Sequence, residues 1–207
     1  IGSTSVRLLQ LSSHGSGYQI DHFAIESLNE GVVVDKAVQD VEAASNAISM
    51  AVRASGTRAK SCAIAVSGSA VFTKLISLPA DLAAADIESQ VQIEANQYIP
   101  YPLDEDSLDF EVLGPSARNA DLVDILLAAS KSENIESRQD AIDTAGLNAR
   151  VVDVEAFAIA NAFELIRKLD GIMRSEAVVF FDMVYDMTTL LVIKGGRVIY
   201  TRDHPFG

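Results

Sequence analysis

The chain has 207 residues, 49% of them hydrophobic, a formal net charge of −13 and a mean hydropathy of +0.21. That composition excludes a disordered chain and leaves enough length to bury a sizeable core in one or two domains. The acidity argues against a nucleic-acid partner and against adsorption on anionic lipid, since both need basic patches, and no apolar run nears the roughly 18–20 residues that cross a bilayer.

The opening stretch, Ile1-Gly2-Ser3-Thr4-Ser5, is a small Gly/Ser/Thr turn set directly before the apolar run Val6, Leu8, Leu9, Leu11. Such a turn can bring backbone N–H groups and hydroxyls to one anionic ligand, and Gly2 has no Cβ to keep a phosphate from the main chain. An ordinary tight turn fits the same residues. Val6–Leu11 and Tyr18–Ile25, separated by Ser12–Gly17, read as a β-hairpin. Val32–Val34 reads as a short strand. Asp35 is a candidate N-cap for a helix over Lys36–Ala54, with Val38, Val41, Ile48 and Val52 at helical spacing and Gly56 at its C-terminal end. Lys60–Val66 is the next strand, broken by Ser67-Gly68-Ser69 and resumed over Ala70–Ile76.

Leu78-Pro79 marks a boundary. Asp81–Ile99 reads as a helix with Ile87, Val91, Ala95 and Ile99 on one stripe, stopped by Pro100 and kept extended by Pro102. Asp104-Glu105-Asp106 reads as a solvated acidic loop. Strands over Leu108–Leu113 and Leu122–Ala129 follow, and then Ser130-Lys131-Ser132-Glu133 fits a capping box for a helix ending at Gly146. Arg150–Val154 is a strand and Glu155–Leu169 a helix ended by Asp170-Gly171. Strands Ala177–Phe181, Leu190–Ile193 and Val198–Arg202 close the chain, the last two joined through Lys194-Gly195-Gly196. This order gives four stretches: 1–77 as the first part of one lobe, 78–151 as an inserted α+β subdomain, 152–174 as a crossover helix, and 175–207 as the start of a second lobe.

Cys62 is the one cysteine, and its apolar neighbours suggest a buried thiol. His14, His22 and His204 show no ligand spacing, so no metal site is read from them. The chain opens on Ile1 inside a turn–strand unit and stops in mid-element, which reads as truncation at both ends.

Several motifs carry a family resemblance. The opening Ile1–Leu11 is similar to the first phosphate loop of the actin-like ATPase superfamily. Leu78-Pro79, the stretch Ile93-Glu94-Ala95-Asn96-Gln97-Tyr98-Ile99-Pro100-Tyr101-Pro102-Leu103 and Leu108-Asp109-Phe110 closely resemble the PilM family of type IV pilus assembly, relatives of the division protein FtsA. So do Ala145-Gly146-Leu147, Val151–Ala158, and Gly196–Arg202 with Pro205-Phe206-Gly207. The resemblance covers nearly the whole chain. It implies an α/β actin-like ATPase fold of the FtsA/PilM type, with ribonuclease H-like lobes, an inserted α+β subdomain of 1C type and an incomplete C-terminal lobe. It also implies a cytoplasmic protein, peripheral at the inner membrane. ATP with Mg²⁺ is the implied cofactor. The implied partner is the N-terminal cytoplasmic tail of PilN, beside other pilus inner-membrane assembly proteins, with no direct membrane insertion and with self-association left open.

Carried to this chain, the resemblance assigns Gly2, Ser3, Thr4 and Ser5 to the first phosphate loop and gives Arg7 a choice between phosphate and solvent. Asp182 opens the second loop and would hold Mg²⁺ through water, with Thr188 and Thr189 at later hydroxyl positions. Glu155 is either a water-polarising carboxylate or a helix-start charge near the positive dipole end. Tyr98, Ile99 and Tyr101 are candidates for the partner groove or for core packing. The second loop reads Asp182-Met183-Val184-Tyr185 where relatives carry a glycine. A valine there would crowd phosphate and penalise a positive φ, which implies weak or no hydrolysis. An FtsA-like division tether and a small-molecule kinase of the same superfamily are the alternatives; the first needs a C-terminal amphipathic helix that the chain does not reach.

Overall fold

In the computed structural model, which describes residues 1–15, 17–99, 106–170, 176–185 and 187–206, the opening apolar run forms β1 (Ser5–His14). It pairs antiparallel with β2 (Gly17–Ser27), from Ser5 opposite Ser27 to His14 opposite Gly17. Gly15 supplies a left-handed residue at the turn. The inward row Val6, Leu8 and Ala24 packs on α1 (Val41–Ser55), whose Ala44, Ala47, Ile48 and Ala51 fill the other side of the same core. Small alanines let the helix lie close to the sheet, and Ala44 and Ala51 are completely buried.

The start of α1 corrects the sequence expectation. Asp35 and Lys36 do not open the helix. They have φ values of 49° and 61° and form a tight turn between β3 (Val33–Val34) and β4 (Ala37–Val38), where Val33 pairs with Val38. The cap is Asp40, whose carboxylate accepts from the Ala43 amide at 2.9 Å. Asp40 offers the same chemistry as Asp35 one residue before the apolar stripe begins, and the valines upstream are satisfied by pairing with each other. Gly56 ends the helix in the left-handed conformation, as expected.

β5 (Ser61–Val66) runs parallel to β9 (Asn148–Val154), ending with Val66 opposite Val154. Between them the chain builds a separate compact unit, Ala70–Glu133; Ile1–Ser69 with Asn134–Gly207 form the other. The sequence reading set the insertion at 78–151. The inserted unit begins earlier because β6 (Val71–Pro79) pairs along its whole length with β8 (Leu122–Lys131). It ends earlier because α3 (Ser132–Thr144) places Ala141 and Ile142 in the core of the larger unit, and β9 pairs with β5.

Within the inserted unit, β7 (Asp106–Pro115) completes an antiparallel sheet of order β6-β8-β7. Its face of Ile76, Leu78, Ile125 and Leu127 is covered by α2 (Ala84–Tyr98), through the expected stripe of Ile87, Val91, Ala95 and the following Ile99. Ser130 lies in β8, two residues before the helix starts, and its Oγ donates to the Ala70 carbonyl at 2.9 Å, so the strand runs through the expected cap position.

In the larger unit, α4 (Glu155–Asp170) follows β9 directly and lies against a last antiparallel sheet of order β10-β11-β12. These strands are β10 (Ala177–Met183), β11 (Thr188–Lys194) and β12 (Arg197–His204). Phe163 of α4 meets Phe180 of β10 edge-on at 4.8 Å, and Leu191 and Ile193 of β11 are buried. Gly195 and Gly196 take the positive φ that the β11–β12 turn requires. Ser16, Pro100 to Glu105, Gly171, Asp186 and Gly207, to which the sequence reading gave turns, stops or family motifs, lie outside the described residues. No helix among the described residues is long and apolar enough to cross a membrane.

The position of the cap is testable. Asp40→Ala is expected to cost about 1 kcal/mol of stability, as loss of an N-cap does. Asp35→Gly, which relieves a positive φ, is expected to be neutral or stabilising in urea unfolding. A large loss at position 35 with none at position 40 would restore the original cap.

Candidate functional site

The ends of β5 and β9 lie side by side, so Ser67 and Glu155, the next residues of each strand, open onto the same edge. In open α/β sheets ligands collect at this carboxyl edge. The antiparallel register of the last sheet adds a second row. Asp182 stands opposite Thr189, and Thr189 opposite Asp203. Opposite residues share a face, so the row brings two carboxylates and a hydroxyl to the same region.

A cleft of about 500 Å³ lies here, within the larger unit. Gly2, Ser3, Thr4, Ser5 and Arg7 form one wall, Lys36 and Glu155 another, and Asp182, Met183, Val184 and Tyr185 a third. The two stretches expected to approach each other, one at each end of the chain, therefore meet, with Glu155 between them. In the first loop the Gly2 amide donates to the Ser5 carbonyl at 3.0 Å and the Thr4 carbonyl accepts from Leu28 at 2.8 Å. Gly2 has no positive φ, and a Cβ built on it would make only ordinary contact, 3.5 Å from the Ser5 carbonyl. The fold does not itself demand glycine there. The second loop is a tight turn closed by Val184 and Met187, whose amides each donate to the other's carbonyl, at 2.9 and 3.4 Å. Among the described residues only Asp35 and Lys36 are non-glycine with positive φ, so the backbone strain expected at Val184 is not present.

Thr188 and Thr189 do not line the cleft. The Thr188 hydroxyl donates to the Phe206 carbonyl at 2.6 Å, and Thr189 is buried behind the wall. Of the residues considered for a partner groove, Ile99 is spent on the core of the inserted unit. Tyr98 is exposed with the Lys74 ammonium 4.5 Å from its ring centre, and Tyr101 lies outside the described residues.

The sequence reading missed the charged centre of the wall. The Lys36 ammonium donates to Glu155 at 3.0 Å, to the Thr189 hydroxyl at 2.8 Å and to Asp203 at 3.5 Å. The Thr189 hydroxyl in turn donates to Asp203 at 2.6 Å, and Ser67 donates to the other Asp203 oxygen at 2.9 Å. The side chains of Lys36 and Asp203 are only 11% and 7% exposed, while that of Glu155 is 32% exposed. A nearly buried ammonium needs this compensation, since an unpaired one would cost several kcal/mol. Burial pushes the Asp203 carboxyl up. The hydrogen bonds from Thr189 and Ser69, the Lys36 charge and the Ser67 hydroxyl outweigh it, and hold the group below the usual carboxylate range.

Behind Lys36 lies Arg138, only 3% exposed, which donates to the carbonyls of Lys36 and Ile1. Burial lowers its pKa and the Glu155 charge opposes that, but a guanidinium stays protonated at neutral pH. A signal for Arg138 was present in the sequence: it shares the buried face of α3 with Ala141 and Ile142. Lys36 and Asp203 carried none, because Lys36 reads as the first residue of the helix expected over Lys36–Ala54 and Asp203 falls just past the strand expected over Val198–Arg202, whereas β12 runs on to His204.

The cleft can therefore offer two cations, a row of hydroxyls and an exposed carboxylate to one ligand. At about 500 Å³ it falls within the roughly 300–1,000 Å³ of small-molecule sites. Among the described residues no group of three His, Cys, Asp or Glu could by itself hold a metal ion.

A family model described as "Type IV pilus assembly protein PilM" matches residues 1–207. Among solved structures, a chain of a "PilM-PilN type IV pilus biogenesis complex" superposes with a TM-score of 0.81 at 25% sequence identity. That match covers 99% of this chain and 60% of the other, so the chain spans 60% of that protein's length. A protein of Bacteroides thetaiotaomicron VPI-5482 with an actin-like ATPase fold and unknown function aligns more loosely, at a TM-score of 0.43 and 9% identity over 99% of this chain and 71% of that one. The α/β fold of PilM type expected from the sequence is the fold found, along 99% of this chain.

The acid response of the wall can be tested. The Asp203 carboxyl has a pKa of about 3.9 in the unfolded chain and a lower one in the folded protein, so its contribution to stability is complete above the unfolded value and is lost as pH falls through the folded one. Asp203→Asn is expected to lower the melting temperature at neutral pH and to flatten its fall on acidification below about pH 4. An unchanged acid profile would remove Asp203 from the set of groups that drive acid unfolding.

Proposed function

The chain belongs to the type IV pilus assembly protein PilM family, and from that premise we propose that it serves as a scaffold of pilus assembly on the cytoplasmic side of the inner membrane. In this reading it binds the N-terminal tail of PilN and takes a nucleotide in the cleft of its larger unit. The observation that carries the partner is the superposition along nearly the whole chain on a component of a PilM-PilN complex, at a TM-score of 0.81. The family and this likeness favour a pilus component over a division tether or a kinase.

The nucleotide reading is supported by the cleft. The hydroxyls of Ser3, Thr4 and Ser5 with the Arg7 and Lys36 cations suit a polyphosphate, and Gly2 is a glycine that the fold does not need. Asp182 is exposed on the same cleft and would hold Mg²⁺ through water. A bound nucleotide would supply negative charge that Arg7 and Lys36 neutralise, and would draw the first and second loops onto one molecule. The Gly2 amide is already engaged with Ser5, and the second loop carries Val184 instead of glycine. The cleft thus offers side-chain donors more than the main-chain cradle of a hydrolytic phosphate loop, and suits a conformational ligand better than turnover.

Two measurements test this reading. Calorimetric titration of the chain with a synthetic PilN tail peptide, bearing an Ile-Asn-Leu-Leu-Pro-type segment, is expected to give saturable one-to-one binding. Absence of heat at high peptide concentration would remove the partner. For the nucleotide, Mg²⁺ is expected to strengthen ATP binding, and Asp182→Ala to abolish that enhancement. An enhancement that survives the substitution would move the metal away from Asp182.

A further inference from the structure

Lys36 is held in a position that the backbone does not favour. Residues with a Cβ are disfavoured in the left-handed region, and Asp35 and Lys36 both occupy it, with φ values of 49° and 61°. Two-residue hairpin turns of this kind ordinarily use Asn and Gly. The Asp-Lys pair at this turn is fixed from both ends of the lysine. Arg138 holds its carbonyl, and Glu155, Thr189 and Asp203 hold its ammonium.

The two carboxylates on the ammonium are not equivalent. Asp203 is almost buried and tied down by the hydroxyls of Ser67 and Thr189, away from the cleft lining. Glu155 is a third exposed and lines the cleft, and its hydrogen-bond partner among the described residues is Lys36. Asp203 and Thr189 therefore anchor the ammonium, whereas Glu155 occupies its open side, where an incoming anion would have to bind.

We infer that Lys36 is a ligand-binding residue whose ammonium exchanges partners, from Glu155 when the cleft is free to a phosphate group of the molecule that fills it. This rests on the reading of the cleft as a polyphosphate site. Glu155 serves as an internal stand-in for the ligand's charge. It keeps the lysine compensated without ligand, and it repels any anion that cannot displace it. Asp203 and Thr189 keep the ammonium aimed at the cleft through the exchange, so the ligand meets a cation already ordered. The same exchange releases Glu155, at the first turn of α4, from its contact with the β3–β4 turn, so occupancy of the cleft is transmitted to both elements.

The test is calorimetric binding of ATP and of inorganic tripolyphosphate to the chain and to three variants. Lys36→Met is expected to weaken both ligands by about tenfold or more, with Lys36→Arg recovering most of the loss because it restores a phosphate-binding cation. Glu155→Gln, nearly isosteric, is expected to tighten both several-fold, about the effect of removing one competing charge. A residue with a merely structural role would not give tighter binding on substitution, so this variant stays informative even if Lys36→Met folds poorly. Binding by the unaltered chain that Glu155→Gln weakens or leaves unchanged would overturn the exchange. Failure of the unaltered chain to bind either ligand would overturn the polyphosphate reading itself, and the exchange with it.

Discussion

The parallel pairing of β5 with β9 is the constraint on which the larger unit depends. Its register stops both strands at the same level, Val66 opposite Val154, and each chain then departs for a different purpose. One enters the inserted unit through Ser67 and Ser69; the other turns at once into α4 through Glu155. Parallel strands cannot be joined by a tight turn, so a long excursion between them is required, and here that excursion is a unit with a core of its own. The polar residues left at the strand ends then gather on one edge. The cleft is a consequence of that pairing, with the Gly/Ser/Thr turn before β1 and the second loop after β10 brought to it from the two ends of the chain.

Charge organises what geometry collects. A lysine and an arginine sit almost wholly inside an acidic protein, and each is compensated differently. Arg138 spends its guanidinium on main-chain carbonyls, which have no pKa and cannot be lost to protonation. Lys36 spends its ammonium on two carboxylates and a hydroxyl drawn from α4, β11 and β12. Buried ion pairs seldom add much net stability, because desolvation consumes most of the Coulombic gain. Their value here is specificity: the β3–β4 turn has one place in which its lysine is satisfied.

Much of this fold was legible in the sequence because the signals were local. Gly56, Gly146 and the Gly195-Gly196 pair announced turns, and all take positive φ. The four-residue spacing of Ile87, Val91, Ala95 and Ile99 announced the buried side of α2. The first loop, Glu155 and Asp182 could be singled out one by one, and they do meet on one cleft. What failed were choices between equals and partnerships at a distance. Asp35 and Asp40 have the same capping chemistry, and only the pairing of Val33 with Val38 decides between them. The partners of Lys36 lie 119, 153 and 167 residues away, beyond the reach of any periodicity. Thr188 and Thr189 were read together as loop hydroxyls, yet alternation along β11 turns them to opposite faces, and neither reaches the cleft.

The insertion also has a temporal meaning. Cys62 and Asn148 are neighbours across the parallel pair but 86 residues apart in the chain, and joining them from an unfolded state means closing that whole loop. The inserted unit is made of antiparallel strands and one helix that need only each other. Once it forms, the Ser130 hydroxyl rests on the Ala70 carbonyl and joins two points 60 residues apart. The loop left to close is then much shorter, and the entropic cost of the parallel pair falls by about 1 kcal/mol. The topology thus favours one order of assembly, in which a formed excursion lowers the entropic cost of closing the parallel pair behind it.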